Sequence, residues 1–246
     1  MSSRSTKIAG PAPVGDASLR WLCNEPFGST TLANTGSKSG GTLTLAGSPL
    51  PLCGARHPWG VGVRWQGISG QTASGAGDAP LGAGAVTVTA LVIATAIVNQ
   101  FEDAVSKNVG AAGIGGNPPV RLGLHNNNDG TIESKITTTN GLVTVTSSAP
   151  WSVVGGLAHL LAVTYDGATQ KLWLDGQVAA SSAQTGTIVW GTGDWTLGNS
   201  TSSNANGAQF WYGWVGDVRV YERALSQTEI QSLYTDTIWG WGGVIG

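Results

Sequence analysis

The sequence predicts an all-β fold with one short helix near its C-terminal end. Leu161, Val163 and Tyr165 alternate with small or polar residues, which is the period-two pattern of a strand with one buried face. Asp166-Gly167 and Asp175-Gly176 then mark two turns. Asp-Gly suits tight hairpins because Gly accepts the positive φ that these turns need and Asp tolerates it.

The helix is predicted from a change of period after the last strand. Val218 and Val220 still alternate with polar residues, but Ser226-Gln-Thr-Glu229 is a capping box. In this motif the Ser hydroxyl accepts from the Glu amide, and the Glu carboxylate accepts from the Ser amide. Four apolar residues then form one stripe: Leu225, which precedes the capping box, and Ile230, Leu233 and Tyr234.

The other elements are predicted in order along the chain. We expect strands at Val61 to Trp65, from Thr87 to Ile93, and at Val120 to His125, Thr131 to Thr139 and Gly141 to Ser147. Two long loops are expected, one over residues 71–84 and one over residues 99–119 with a helical turn at Glu102 to Val105.

Three segments carry a family resemblance. Residues 159–167 read HLLAVTYDG, residues 171–176 read KLWLDG, and residues 210–234 read FWYGWVGDVRVYERALSQTEIQSLY. These segments resemble the laminin-G-like, concanavalin A-like domains. Residues 19–25, LRWLCNE, stand where that family has W-x-F-D-E.

The resemblance spans residues 17–235 and implies a two-sheet antiparallel jelly-roll sandwich with the capped helix at one edge. It also implies that the N-terminal and C-terminal signatures pair in space, which favours one domain. Residues 1–16, rich in Gly, Pro and Ser, are expected to form a flexible arm. Residues 236–246 are expected to form an apolar tail containing two Trp.

The composition excludes some classes of partner. Charged residues make up 11% of the chain, against about 25% in an average protein, and the net charge is -2. No broad basic field is therefore present to attract nucleic acid or an anionic membrane. The longest apolar run, Ala90 to Val98, is too short to cross a bilayer, so membrane insertion is not expected.

Catalysis is not predicted. Glucanases that share this sandwich need carboxylates alternating along one strand, so that an acid and a nucleophile face the glycosidic bond. None of the glutamates has an acidic residue two places away; they are Glu25, Glu102, Glu133, Glu222 and Glu229. We therefore expect a protein that is not an enzyme.

No cofactor is predicted, and calcium is the alternative. Asn126, Asn128 and Asp129 offer oxygen ligands of the kind that calcium prefers, but a hairpin turn explains these residues more simply. Cys23 and Cys53 leave two alternatives open: a disulfide that stabilises the fold by about 3 kcal/mol, or two buried free thiols.

The 11 Trp residues are the strongest compositional oddity. Six of them cluster late in the chain and are candidates for partner or glycan contacts, divided between core and interface: Trp190, Trp195, Trp211, Trp214, Trp239 and Trp241.

These observations favour a non-enzymatic structural or adhesion protein. The first residues lack the apolar stretch of a secretory signal, so we expect synthesis in a host cytoplasm and incorporation into a phage virion as a capsid decoration, fibre or tail protein. The expected partners are capsid or tail subunits, further copies of the chain and a cell-surface glycan. The alternative is an extracellular carbohydrate-binding module.

Overall fold

The computed structural model describes residues 14–57, 60–76, 81–82, 84–97, 102–108, 118–124, 130–150, 156–199 and 210–242. These residues include one helix, α1 (Gln227–Gly242). The strands are, in chain order, β1 (Leu19–Trp21), β2 (Thr31–Leu32), β3 (Leu43–Ala46), β4 (Leu52–His57), β5 (Gly60–Gln66), β6 (Thr72–Gly75), β7 (Val86–Ala94), β8 (Glu102–Lys107), β9 (Val120–Leu124), β10 (Ile132–Thr138), β11 (Gly141–Thr146), β12 (His159–Tyr165), β13 (Thr169–Leu174), β14 (Gln177–Ala183), β15 (Trp195–Leu197) and β16 (Tyr212–Tyr221).

The strands form two antiparallel sheets, which confirms the predicted sandwich. The first sheet has the order β14-β13-β12-β7-β16-β5-β4, and β1 also pairs with β16. The second sheet has the order β11-β10-β9-β8-β15-β6-β3-β2. Leu19 lies opposite Val220 and Trp21 opposite Val218, so the two family signatures do pair in space.

The core lies between the sheets and contains several Trp side chains. Trp21, Trp65 and Trp195 are each at most 1% exposed. Trp21 Nε1 donates to the carbonyl of Gly41 at 2.6 Å, and the Trp21 ring centroid lies 5.9 Å from that of Trp195. Because its donor is satisfied, the Trp21 indole buries apolar area without leaving its polar group unpaired.

Gly198, which follows strand β15, lies directly against the Trp65 ring. A Cβ atom at this position would lie 2.1 Å from the indole of Trp65, and the backbone φ is +71°. Both observations require glycine, because a side chain would collide with the ring and would also strain the backbone. Glycine at this position therefore allows the Trp65 ring to pack against the backbone just after β15.

Helix α1 packs on the outer face of the first sheet, where it contacts β12, β14 and β5. A second apolar cluster fills this contact: Ala17, Leu160, Ala162, Trp173, Tyr221, Leu225, Ile230 and Leu233. The predicted capping box is present, since the Ser226 amide donates to Glu229 Oε2 at 2.8 Å and the Glu229 amide donates to Ser226 Oγ at 3.3 Å. Among the described residues, no helix has the length and hydropathy needed to cross a membrane.

The structure corrects three local predictions. Residues 102–105, expected as a helical turn, belong to strand β8, which pairs with β9 and β15. The expected loop over residues 71–84 contains strand β6. Helix α1 continues to Gly242, so residues 236–242 of the expected tail extend the helix. In the first two cases sheet pairing outweighs a weak local pattern.

The two cysteines are free thiols, and both are buried. Cys23 Sγ lies 3.6 Å from the carbonyl oxygen of Trp21, and Cys53 Sγ lies 3.9 Å from that of Glu25. Burial, with Glu25 nearby, raises the pKa of the Cys53 thiol to about 11. Of the two alternatives left open by the sequence, the structure has the free thiols.

The capping box yields a stability prediction. Ser226→Ala should lower the free energy of unfolding by about 1 kcal/mol, because the amide of Glu229 then loses its partner at the start of α1. Urea unfolding followed by circular dichroism measures the loss. Ser39→Ala, at an exposed loop serine, is the control, and equal losses in the two variants would contradict the role given to the cap.

Candidate functional site

A polar pocket of about 300 Å³ opens beside the junction of β1 and β16. Its lining comes from three parts of the chain: residues 14–17 with Arg20, residues 35–37, and Arg219 with Tyr221. The pocket thus lies where the N-terminal and C-terminal signatures meet.

The wall of the pocket is held by a carboxylate that bridges two arginines. Arg20 donates through Nε to Asp217 Oδ1 at 2.9 Å and through Nη2 to Oδ2 at 3.1 Å. Arg219 donates through its own Nε to Asp217 Oδ1 at 3.0 Å and through its own Nη2 to Asp217 Oδ2 at 2.5 Å. The Asp217 side chain is 9% exposed. We call these three residues the Arg20–Asp217–Arg219 bridge.

Strand pairing explains why the bridge is needed. Arg20 and Arg219 lie directly opposite each other in the β1–β16 pair, and like charges at such positions repel. The register of β16 against β7 shifts between Gly216 and Arg219, and Asp217 adopts a φ of 36° within this irregularity. The bulge places the Asp217 carboxylate against both guanidinium groups, which converts the repulsion into two charge-assisted pairs.

The charges in the bridge are firmly fixed. Burial acts to raise the pKa of Asp217, but hydrogen bonds from Arg219 and Arg20 outweigh it, so that the pKa falls below its ordinary value. Burial likewise opposes the charge of Arg219, and its hydrogen bond to Asp217 reverses that effect and raises its pKa. At neutral pH the pocket therefore has two cationic groups in its wall and one carboxylate between them. A second carboxylate, that of Asp16, is exposed at the pocket.

A second charged cluster lies on the second sheet, and sequence reasoning missed it. Arg121 contacts both Asp103 and Glu133, with 3.8 Å between its Nη1 and Glu133 Oε1. Lys135 Nζ lies 3.1 Å from Glu133 Oε1. The search for catalytic carboxylates looked for spacing along one strand, whereas these residues come from β8, β9 and β10. A signal was present in the alternation of Glu133 and Lys135 on one face of β10.

The geometry of this cluster does not suit acid–base chemistry on a polymer. The side chains of Asp103 and Glu133 are at most 4% exposed, and each is paired with a cation. Burial raises the pKa of Asp103, while Arg121 acts in the opposite direction. A glycosidic bond needs an acid and a base that reach it from an open cleft.

The structure divides the Trp candidates. Trp195 and Trp211 are at most 1% exposed and belong to the core, so their assignment as partner contacts is corrected. Both rings belong to the apolar cluster between the sheets, and Trp211 Nε1 donates to the carbonyl of Ile93 at 3.3 Å.

Trp190 and Trp214 are half-buried. Trp190 Nε1 donates to the carbonyl of Gly82 at 3.1 Å. The guanidinium carbon of Arg64 lies 5.1 Å from the Trp214 ring centroid, and the His57 ring lies 5.7 Å from it. Burial lowers the pKa of His57 to about 4, so Arg64 is the charged member of this stack at neutral pH.

The other candidate contact and calcium-binding residues lie outside the described part of the chain. The side chains of Trp239 and Trp241 are outside the described residues, although both positions are helical. Asn126, Asn128 and Asp129 are outside them as well. Within the described ranges, no group of three or more His, Cys, Asp or Glu side chains is arranged to hold a metal ion.

Comparisons with known proteins agree with the fold. A family described as the concanavalin A-like lectin/glucanases superfamily matches residues 66–231. No curated protein matches the sequence.

Solved structures include similar domains of bacterial toxins. The receptor binding domain of botulinum neurotoxin D has a TM-score of 0.61 at 14% identity, over 89% of this chain and 52% of that one. That of the botulinum neurotoxin C/D mosaic serotype has a TM-score of 0.62 at 14% identity, over 89% and 51%. The binding domain of Paraclostridial Mosquitocidal Protein 1 has a TM-score of 0.60 at 12% identity, over 89% of this chain and 52% of that one. The chain spans about half the length of these toxin domains, and likeness at such identities shows the fold alone.

The bridge yields a second stability prediction. Asp217→Asn should lower the free energy of unfolding by about 3 kcal/mol, because it leaves two cations opposed, one of them largely buried. Urea unfolding measures the loss. Asp236→Asn, at an exposed position of α1, is the matched control and should change stability little. A loss in Asp217→Asn no larger than in the control would contradict the bridge.

The same bridge should make stability depend on pH in acid. The folded pKa of Asp217 lies below its unfolded value of about 3.9, so its contribution is complete above that pH and disappears as pH falls through the folded pKa. The difference in unfolding free energy between wild type and Asp217→Asn should therefore shrink below about pH 4. A difference that stays constant from pH 6 to pH 2 would show that this carboxylate does not carry the effect.

Proposed function

Because the chain belongs to the concanavalin A-like lectin/glucanase superfamily, we propose that it is a non-enzymatic binding protein whose ligand site is the pocket at the β1–β16 junction. The observation that carries the proposal is the pair of guanidinium groups in the wall of a 300 Å³ pocket. Pockets of roughly this size and larger hold small ligands, and a few fixed polar groups orient them.

The proposal excludes hydrolysis as the main activity. Among the described residues, Asp103 and Glu133 form an acidic pair that the fold brings together, and both are buried and bound to cations. In the pocket, Asp217 is committed to two arginines, and its lowered pKa keeps it from donating a proton. Acid catalysis on a glycan needs a carboxyl group that is protonated at working pH.

The biological setting is also part of the proposal: a phage virion component that contacts capsid or tail subunits, further copies of itself and a cell-surface glycan. The low charged fraction of 11% and net charge of -2 support this setting, since such a surface packs beside other subunits with little repulsion. A carbohydrate-binding module at an extracellular surface is the alternative, and it would use the same pocket.

Binding at the pocket is tested with a glycan array and a variant that fills the space. Gly15 lines the pocket, and a Cβ atom there would meet nothing within 4 Å. Gly15→Leu should therefore fold normally and lose the glycan signals of the wild type. Gly84→Leu is the matched control, because Gly84 has the same open surroundings and does not line the pocket. A wild-type array without signal, or signals that survive in Gly15→Leu, would contradict the proposed site.

The setting is tested separately on purified particles. If the protein is a virion component, density-purified phage from a lysate should contain it in fixed proportion to the major capsid protein by mass spectrometry. Antibody labelling in electron microscopy should then locate it on the capsid or tail. Its recovery only in the free fraction would exclude the virion setting and favour the extracellular alternative.

A further inference from the structure

We infer that the ligand of this pocket is an acidic sugar, a glycan unit that carries both a carboxylate and free hydroxyl groups. This inference rests on the proposed function and names the ligand class of the same site.

The two arginines have more hydrogen-bond donors than the bridge uses. A guanidinium group has more N–H donors than it uses on one carboxylate oxygen pair, and Arg20 and Arg219 share a single carboxylate, that of Asp217. Each arginine therefore keeps N–H groups beyond those given to Asp217, and both line the pocket. The side chain of Arg20 is 34% exposed, so these donors are accessible. A wall rich in donors selects a ligand rich in acceptors.

The bridge also carries an excess of positive charge. Two cations face one buried anion in it, and the exposed Asp16 balances this excess only over the pocket lining as a whole. A ligand hydroxyl group cannot neutralise the local excess at the bridge. A ligand carboxylate can, and an arginine binds it through paired N–H groups that also fix its orientation. Since Arg20 and Arg219 lie opposite each other in the strand pair, a second carboxylate would reduce the repulsion that Asp217 reduces alone.

The other polar residues of the lining favour an acidic sugar over a simple anion such as phosphate. Asp16 lines the same pocket, is exposed, and accepts hydrogen bonds without donating any when it is ionised. It disfavours a multiply charged anion and favours a ligand with hydroxyl donors. Thr35 and Ser37, both exposed, add hydroxyl groups at the same pocket. A carboxylate at the arginines with hydroxyls toward Asp16 matches this division.

The test compares acids with their own esters. Trimers of galacturonate, glucuronate and guluronate, and the methyl esters of each, are titrated calorimetrically into the full-length protein. The ester keeps the ring and its hydroxyls and removes only the negative charge. We expect at least one acid to bind, with its ester bound at least tenfold more weakly, and the affinity of the acid to fall with added salt.

Two variants in the pocket and one control outside it locate the contact. Arg20→Gln should weaken binding of the acid by about tenfold or more while narrowing the difference between acid and ester. Arg56→Gln, at an exposed arginine outside the pocket, should leave both unchanged. Gly15→Leu keeps both arginines and the bridge and should abolish binding. It tests the pocket even if Arg20→Gln loses binding because it is less stable. Thermal unfolding of each variant confirms that it is folded.

The outcomes separate this inference from the proposed function. Equal binding of acid and ester, lost in Gly15→Leu, would overturn the acidic ligand while supporting a glycan site in the pocket. Binding of the acid that is unchanged in Arg20→Gln would also overturn it. Absence of binding by all six trimers overturns the acidic ligand. The glycan site itself is removed by a glycan array without signal, or by array signals that survive in Gly15→Leu.

Discussion

The pairing of β1 with β16 is the contact on which the other features of this fold depend. It joins residues from the two ends of the chain, and it places Arg20 directly opposite Arg219. The resulting repulsion would weaken the sheet, and the bulge at Asp217 reduces it with one carboxylate. The pocket lies beside the same pair of strands, where residues 14–17 and 35–37 meet the two arginines.

Much of the fold is predictable from local chemistry. Asp175 in the Asp-Gly turn has a φ of 51° and the following Gly176 a φ of 81°, as a hairpin of this type requires. The capping box forms as its residues predict. Strand β8 was not predictable, because Glu102, Asp103 and Lys107 are charged yet buried there. Asp103 is paired with Arg121 of β9, the Tyr212 amide donates to Glu102, and Lys107 donates to the carbonyl of Gly193. These partners all lie outside β8, so a local pattern could not show that its buried charges are satisfied.

The candidate site is less predictable for the same reason. Arg20 and Arg219 are separated by nearly the whole domain, and neither stands out in sequence. Only the inferred pairing of the two signatures brings them together, and the bulge that adds Asp217 to them is a detail of register. The aromatic residues show the opposite problem: Trp195 and Trp211 stand out by type, but composition does not tell which rings face the core. Residue type alone therefore predicts the Trp rings as binding residues, whereas the geometry places the two arginines in the pocket.

The central position of β16 has a consequence for how the protein is made. This strand is the last of the described strands in chain order, yet it lies between β7 and β5 and is the pairing partner of β1 in the first sheet. On a ribosome, the earlier strands of that sheet emerge long before the strand that joins them, and they remain as separate pieces with open edges. Contacts between residues so distant in sequence also slow folding. The nascent chain therefore exposes unpaired strand edges until β16 has emerged, so protection by chaperones during synthesis should raise the yield of folded protein.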